Sequence, residues 1–270
     1  MTFSACTRSK NASLHMIRRS HLILVLLGLY ACSGTPTTDL DRLYGSRNGE
    51  AVPPPVVLIH GALGSRLNDV SSGKEVWPGS LRKILFSNYE ILKYDIDAET
   101  LLPAPSRLST SGIARSAWGV DYYGRILDIL EHAGGYAPGL PGTAAMPGEQ
   151  RYYVFAYDWR QDNVESARQL DAFIERIRED YSDPTLKVDI IAHSLGGLIT
   201  RYFIRYGTVD VLDDNDFPVS QYGASRIRRV VLLGTPNLGS IGALRTLIAG
   251  YKVGLNSIPP EVVATFPSTY

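Results

Sequence analysis

Cysteine is nearly absent from this chain of 270 residues: there are two, Cys6 and Cys32. Both lie in or at the edge of an N-terminal leader, which leaves the rest without an internal disulfide or a thiolate metal site. An excess of either charge is also missing, since 27 basic residues balance 27 acidic ones. No stretch interleaves basic residues with aromatics, so nothing resembles a nucleic-acid surface. Histidine is sparse: there are five, and none follows His193. No metal or cofactor is expected from these patterns. With 44% apolar and 20% charged content the chain is not of the disordered class, and it is long enough for one sizeable domain.

The first 31 residues carry Arg8, Lys10, Arg18 and Arg19 and no acid, followed by the apolar run Leu22 to Tyr30. This is the pattern of a secretory signal, too short to span a bilayer as a stable helix. It ends in Leu29-Tyr30-Ala31-Cys32, which resembles a bacterial lipoprotein processing site. The expectation is a lipoprotein-type signal over residues 1–31, lipidation of Cys32, and export to the bacterial cell envelope with a lipid anchor in the outer membrane. Met16 also serves as a start that gives the leader ordinary proportions. An uncleaved anchor and cleavage without lipid stand as alternatives. Taking the four basic residues of the leader from the 27 of the chain leaves 23 against 27 acidic ones, a mildly acidic mature protein. Residues 32–55 are polar and then Pro-rich without periodicity, and read as a tether.

The chemistry centres on Val188-Asp189-Ile190-Ile191-Ala192-His193-Ser194-Leu195-Gly196-Gly197. A short apolar run meets a small-x-Ser-x-Gly turn and then a helical pattern, as in a nucleophile elbow. There the strained turn lifts a serine hydroxyl out at the top of a sheet. Ser194 is then the catalytic nucleophile, and the Leu195 N–H faces a developing oxyanion. An ordinary glycine-rich strand-to-helix turn is the competing reading. A second signal is Val56-Val57-Leu58-Ile59, a buried-strand run, followed by the glycine-punctuated His60-Gly61-Ala62-Leu63-Gly64-Ser65. An oxyanion hole needs two donors from separate segments, and the Ala62 N–H is the expected partner of Leu195. A turn with no ligand is the alternative.

Further strands are expected at Tyr152–Ala156, Leu186–Ile191 and Arg229–Leu233. Helices are expected over Tyr122–His132, after a capping box of Asp162 and Glu165, and after the elbow. Residues 66–120 read as irregular. Alternation of strand and helix predicts an α/β fold with a mostly parallel sheet flanked by helices.

Four stretches together, Val56 to Leu67, Tyr157-Asp158-Trp159-Arg160, the elbow at Ser194, and Gly234-Thr235-Pro236, resemble the lecithin:cholesterol acyltransferase family of α/β-hydrolases over roughly residues 54–270. The resemblance implies serine-dependent acyl transfer on lipid esters, a phospholipid or acylglycerol, to an alcohol or to water. It matches Ser194 to the nucleophile and Ala62 and Leu195 to the oxyanion donors. Two features depart from the family: Ala192 stands for the first elbow glycine, and the cysteine pair of the animal enzymes is missing. In such folds an acid and then a histidine follow the serine, yet the only later acids are Asp210, Asp213, Asp214, Asp216 and Glu261. The expectation is therefore an α/β-hydrolase domain over residues 56–270 that is incomplete at its C-terminal side, with a longer form supplying the missing groups. His60 is the upstream histidine to test as a substitute base, against a local hydrogen-bonding role. Asp189 reads as structural, and Asp158 and Arg160 as a pair that fixes a loop. A non-catalytic surface lipoprotein that binds a lipid or protein partner is the second function class.

Overall fold

The computed structural model describes residues 52–100, 102–212 and 219–269. The leader, Cys32 and most of the tether lie outside the described residues, as do Asp213, Asp214 and Asp216. The chain enters at β1 (Val56–Ile59) and continues through β2 (Ser65–Asp69), β3 (Glu75–Trp77), β4 (Leu108–Ile113), β5 (Ser116–Ala117) and β6 (Val120–Asp121). Helix α1 (Gly124–Asp128), β7 (Ala137–Pro138), β8 (Arg151–Phe155), α2 (Asn163–Asp180), β9 (Val188–His193) and α3 (Leu195–Tyr206) form the middle. Strand β10 (Ile227–Leu233), α4 (Ile241–Ala249), β11 (Tyr251–Val253) and β12 (Asn256–Ile258) follow.

Five strands make one sheet in the order β10-β9-β1-β8-β7, and every neighbouring pair is parallel. The α/β expectation holds. All four residues of β1 are buried because helices cover both faces. Val57 and Ile59 join Leu170, Ile174 and Ile177 of α2 and Ile199 and Phe203 of α3. Val56 and Leu58 join Tyr123, Leu127 of α1 and Leu130 of the turn that follows it. The period of α2 puts its apolar stripe on the sheet as expected. Its cap is half of the box, because Asp162 accepts from the Val164 N–H while Glu165 turns to Gln169 and Arg168.

Residues 66–120 are more regular than their sequence suggests. Strands β2, β3 and β4 form a small antiparallel sheet, and β5 pairs with β6. These strands are two to six residues long, too short for a period to emerge. Helix α1 continues as a π-helical turn over Ile129–Ala133, which Gly134 closes by donating to the Ile129 carbonyl at 2.9 Å. Strand β9 ends two residues later than expected, because its ladder with β10 runs on to the pair His193 and Leu233. Among the described residues no helix is long and apolar enough to cross a membrane.

Candidate active site

The sheet order places the site. The chain runs from β1 to its neighbour β8 and then crosses back to β9 on the other side of β1, so two consecutive carboxyl ends diverge there. Ligands of open parallel sheets bind where the order reverses in this way. Ile59 stands beside Ala192 in the ladder, so the loop after β1 and the turn after β9 emerge side by side.

Ser194 is the N-cap of α3, with φ 51° and ψ −118°. A side chain at positive φ is strained, at an order of 1–3 kcal/mol, and persists only where the surroundings enforce it. Three contacts enforce it here. The Ser194 N–H donates to the Leu233 carbonyl at 2.9 Å, which fixes the turn to the end of β10. A Cβ on Gly196 would stand 2.4 Å from the His60 carbonyl oxygen, so the first turn of α3 closes against the end of β1 only as glycine. A Cβ on Gly197 would meet Thr235 Oγ1 at 2.0 Å. The motif Gly234-Thr235-Pro236 thus presses on the elbow, with the Thr235 hydroxyl buried and unpartnered.

The loop after β1 is clamped from several sides. His60 is completely buried and stacks on Tyr157, with ring centroids 4.3 Å apart. Its Nδ1–H donates to the Gly61 carbonyl at 2.7 Å, and its Nε2 accepts the Tyr157 N–H at 3.2 Å. These bonds set the tautomer, and burial pushes the ring's pKa down to about 4. Both ring nitrogens are occupied, so His60 is no base for Ser194, and the local role is the one observed. The Gly61 carbonyl also accepts from the Gly64 N–H at 3.1 Å. In a planar trans peptide the next N–H points the opposite way from that carbonyl, so the same two bonds aim the Ala62 N–H. Leu63 sits at φ 65°, with its carbonyl bound by the Trp77 indole at 2.9 Å, and Ser65 Oγ donates to the Tyr157 carbonyl at 2.7 Å.

Loop and elbow touch. A Cβ on Gly61 would lie 2.8 Å from Ser194 Cβ and 2.9 Å from His193 Nδ1. Ala62 is exposed and Leu195 half-buried, and neither N–H has a hydrogen-bond partner among the described residues. Ser194 is half-buried, and its hydroxyl is also without one. The structure therefore brings the three expected site residues, Ser194, Ala62 and Leu195, to one mouth at the top of the sheet.

Among the described residues no base stands beside them. His193 turns to the Tyr123 hydroxyl, 2.8 Å from Nδ1, and His132 caps its own helix at the Asp128 carbonyl. Asp189 pairs with Arg228. Asp158 and Arg160 form a bidentate pair that also holds the Leu92 carbonyl and Ser106 Oγ, the loop-fixing role expected of them. Two residues of the site escaped the sequence reading. Tyr157 was visible only within its motif, and Tyr123 carried no signal because its role depends on a fold contact 62 residues away.

The family model of lecithin:cholesterol acyltransferase matches residues 148–266. The loop after β1 lies outside that stretch. Among solved structures, a chain of "The crystal structure of Tle4-Tli4 complex" is similar at a TM-score of 0.45 and 19% identity over 80% of this chain. This chain covers 53% of the length of that one. Residues 148–266, which hold the Tyr157 to Arg160 motif, the elbow at Ser194 and Gly234-Thr235-Pro236, are thus the part of the chain that is similar to the lecithin:cholesterol acyltransferase family.

Proposed function

We propose that Ser194 is the nucleophile of a serine-dependent acyl transfer on lipid esters, with a phospholipid or acylglycerol as donor and an alcohol or water as acceptor. The observation that carries this reading is the strained Ser194 at φ 51°, set against a glycine loop with two free N–H groups beside it. The hydroxyl attacks the ester carbonyl, its proton passes to a base, and the tetrahedral oxyanion takes hydrogen bonds from the Ala62 and Leu195 N–H groups. Collapse expels the alcohol of the donor lipid and leaves an acyl-serine. An acceptor alcohol or water then attacks that ester and restores the serine. The match of residues 148–266 to that family model supports the lipid ester as substrate class.

None of the three described histidines can take the proton, so in this reading the base comes from outside the described residues. Without it the serine remains a weak nucleophile, and the acceleration left is that of binding and the oxyanion hole. The test is release of fatty acid from mixed phospholipid and diacylglycerol vesicles, read by mass spectrometry with and without added imidazole. Release stimulated by imidazole and absent in Ser194→Ala supports the reading, and release unaffected by that substitution overturns it. We extend the proposal to the leader: Cys32 is the lipidated first residue of the mature protein, held at the outer membrane. Intact-mass analysis of the membrane fraction should show a diacylglyceryl-modified N-terminus at Cys32, and an unmodified N-terminus elsewhere contradicts it.

A further inference from the structure

Tyr123 is buried just ahead of α1, and its ring belongs to the cluster of Val56, Leu58, Leu127 and Leu130 under the sheet. Its backbone is held as firmly as its ring. The N–H groups of Tyr122, Tyr123 and Gly124 converge on the Arg115 carbonyl at 2.9, 3.0 and 3.2 Å, and Asp121 caps the N–H groups of Gly124 and Arg125. From this anchored position the phenol reaches the mouth of the site. Its oxygen accepts the Gly61 N–H at 2.9 Å and lies 2.8 Å from His193 Nδ1. A phenol has one proton to give. With the oxygen accepting from Gly61, that proton goes to Nδ1, which makes His193 the neutral Nε2–H tautomer.

One hydroxyl therefore joins the residue before Ala62 to the residue before Ser194. We propose that Tyr123 is a positioning residue, its hydroxyl fixing the distance between the loop that carries the Ala62 N–H and the elbow that carries Ser194 and the Leu195 N–H. The inference rests on the reading of Ser194 given above. The need for such a tie follows from the sequence of the loop. Gly61 has no side chain of its own to hold it, and Gly61 and Gly64 bracket the donor with the least restrained residue type. The bonds from His60 and Gly64 fix the tilt of the Gly61–Ala62 peptide but not its height above Ser194. A donor displaced by about 1 Å loses on the order of a hundredfold in rate.

The substitution Tyr123→Phe keeps the ring and removes the tie, and Tyr122→Phe, at an exposed neighbour, is its control. Three readouts are taken on the 1–270 protein: the rate of labelling of Ser194 by a fluorophosphonate with imidazole present, the exchange rate of the Gly61 amide, and the ¹⁵N shifts of the His193 ring. The expected result is a tenfold to hundredfold slower maximal labelling rate at an unchanged half-saturating probe concentration, on the order of one misplaced donor. Gly61 exchange rises at least about tenfold, and the hydrogen-bonded Nδ1 signal of His193 is lost, while Tyr122→Phe changes none of the three. Labelling within twofold of the parent while the amide and ring signals change assigns Tyr123 a purely structural role and overturns the proposal. Unchanged amide and ring signals overturn the tie itself. A parent that shows no labelling of Ser194 defeats the nucleophile reading, an outcome distinct from both.

Discussion

At the scale of single residues the site is made of backbone strain and missing side chains. Ser194 holds φ 51° because β10, β1 and Thr235 leave no other path for the turn. Ser194→Gly should then raise stability by about 1 kcal/mol while abolishing labelling, since glycine takes positive φ without steric cost and gives part of that back in entropy. Urea unfolding measures the first effect and a fluorophosphonate the second. Gly196→Ala should cost at least 1–3 kcal/mol, because its Cβ would meet a backbone carbonyl 2.4 Å away that cannot move aside. His60 gives the pH dependence. Burial pulls its pKa from 6.5 to about 4, so the folded state stays neutral while the unfolded state takes up a proton. Stability due to this group is complete above pH 6.5 and is lost progressively toward pH 4, an order of 3 kcal/mol in all. Chemical denaturation between pH 7 and 4 should show this fall, and His60→Gln should be less stable at pH 7 but flatter across that window. The small residues of the elbow and of the loop after β1 were legible, because close backbone approach restricts residue types locally. The Thr235 contact and the Tyr123 bridge were not, because each joins segments that only the fold brings together.

At the scale of elements, the strands of the parallel sheet announce themselves as continuous apolar runs and α2 by its stripe, since each is long enough or buried enough for its pattern to stand out. Strands β2 to β6 do not. Leu67 is the one buried apolar side chain of β2, and a pattern of one has no period. Leu67, Val76, Trp77 and Leu108 join that region to the core of the sheet, and polar bonds add to this. Arg160, 1% exposed, binds Asp158 at 2.6 Å and spans to the Leu92 carbonyl and Ser106 Oγ. The Arg160 carbonyl in turn accepts the Ser268 N–H at 3.0 Å. Arg160→Met should cost about 3–5 kcal/mol, the range for leaving one member of a buried pair uncompensated. Replacing Asp158 by Asn together with Arg160 by Met should cost less than the sum of the two single changes, measured as a double-mutant cycle by thermal unfolding.

At the scale of the whole molecule, the apolar surface is unevenly distributed. Strand β10 is an edge of the sheet with Val231, Leu232 and Leu233 exposed, and α4 has no buried residue, with Ile241 88% and Ile248 73% exposed. Edges and faces of this kind associate. The 1–270 protein should therefore sediment as more than a monomer at micromolar concentration, and Val231→Lys with Ile248→Glu should shift it toward monomer; a monomer with or without those changes contradicts this. The central claim is that Ser194 is poised for attack but has no base beside it among the described residues. The direct measurement is the rate and site of fluorophosphonate labelling of the 1–270 protein, mapped by peptide mass spectrometry with and without imidazole. The account predicts one adduct, on Ser194, forming slowly alone and faster in proportion to imidazole. An adduct on another residue, or rapid labelling of Ser194 that imidazole does not change, would contradict it.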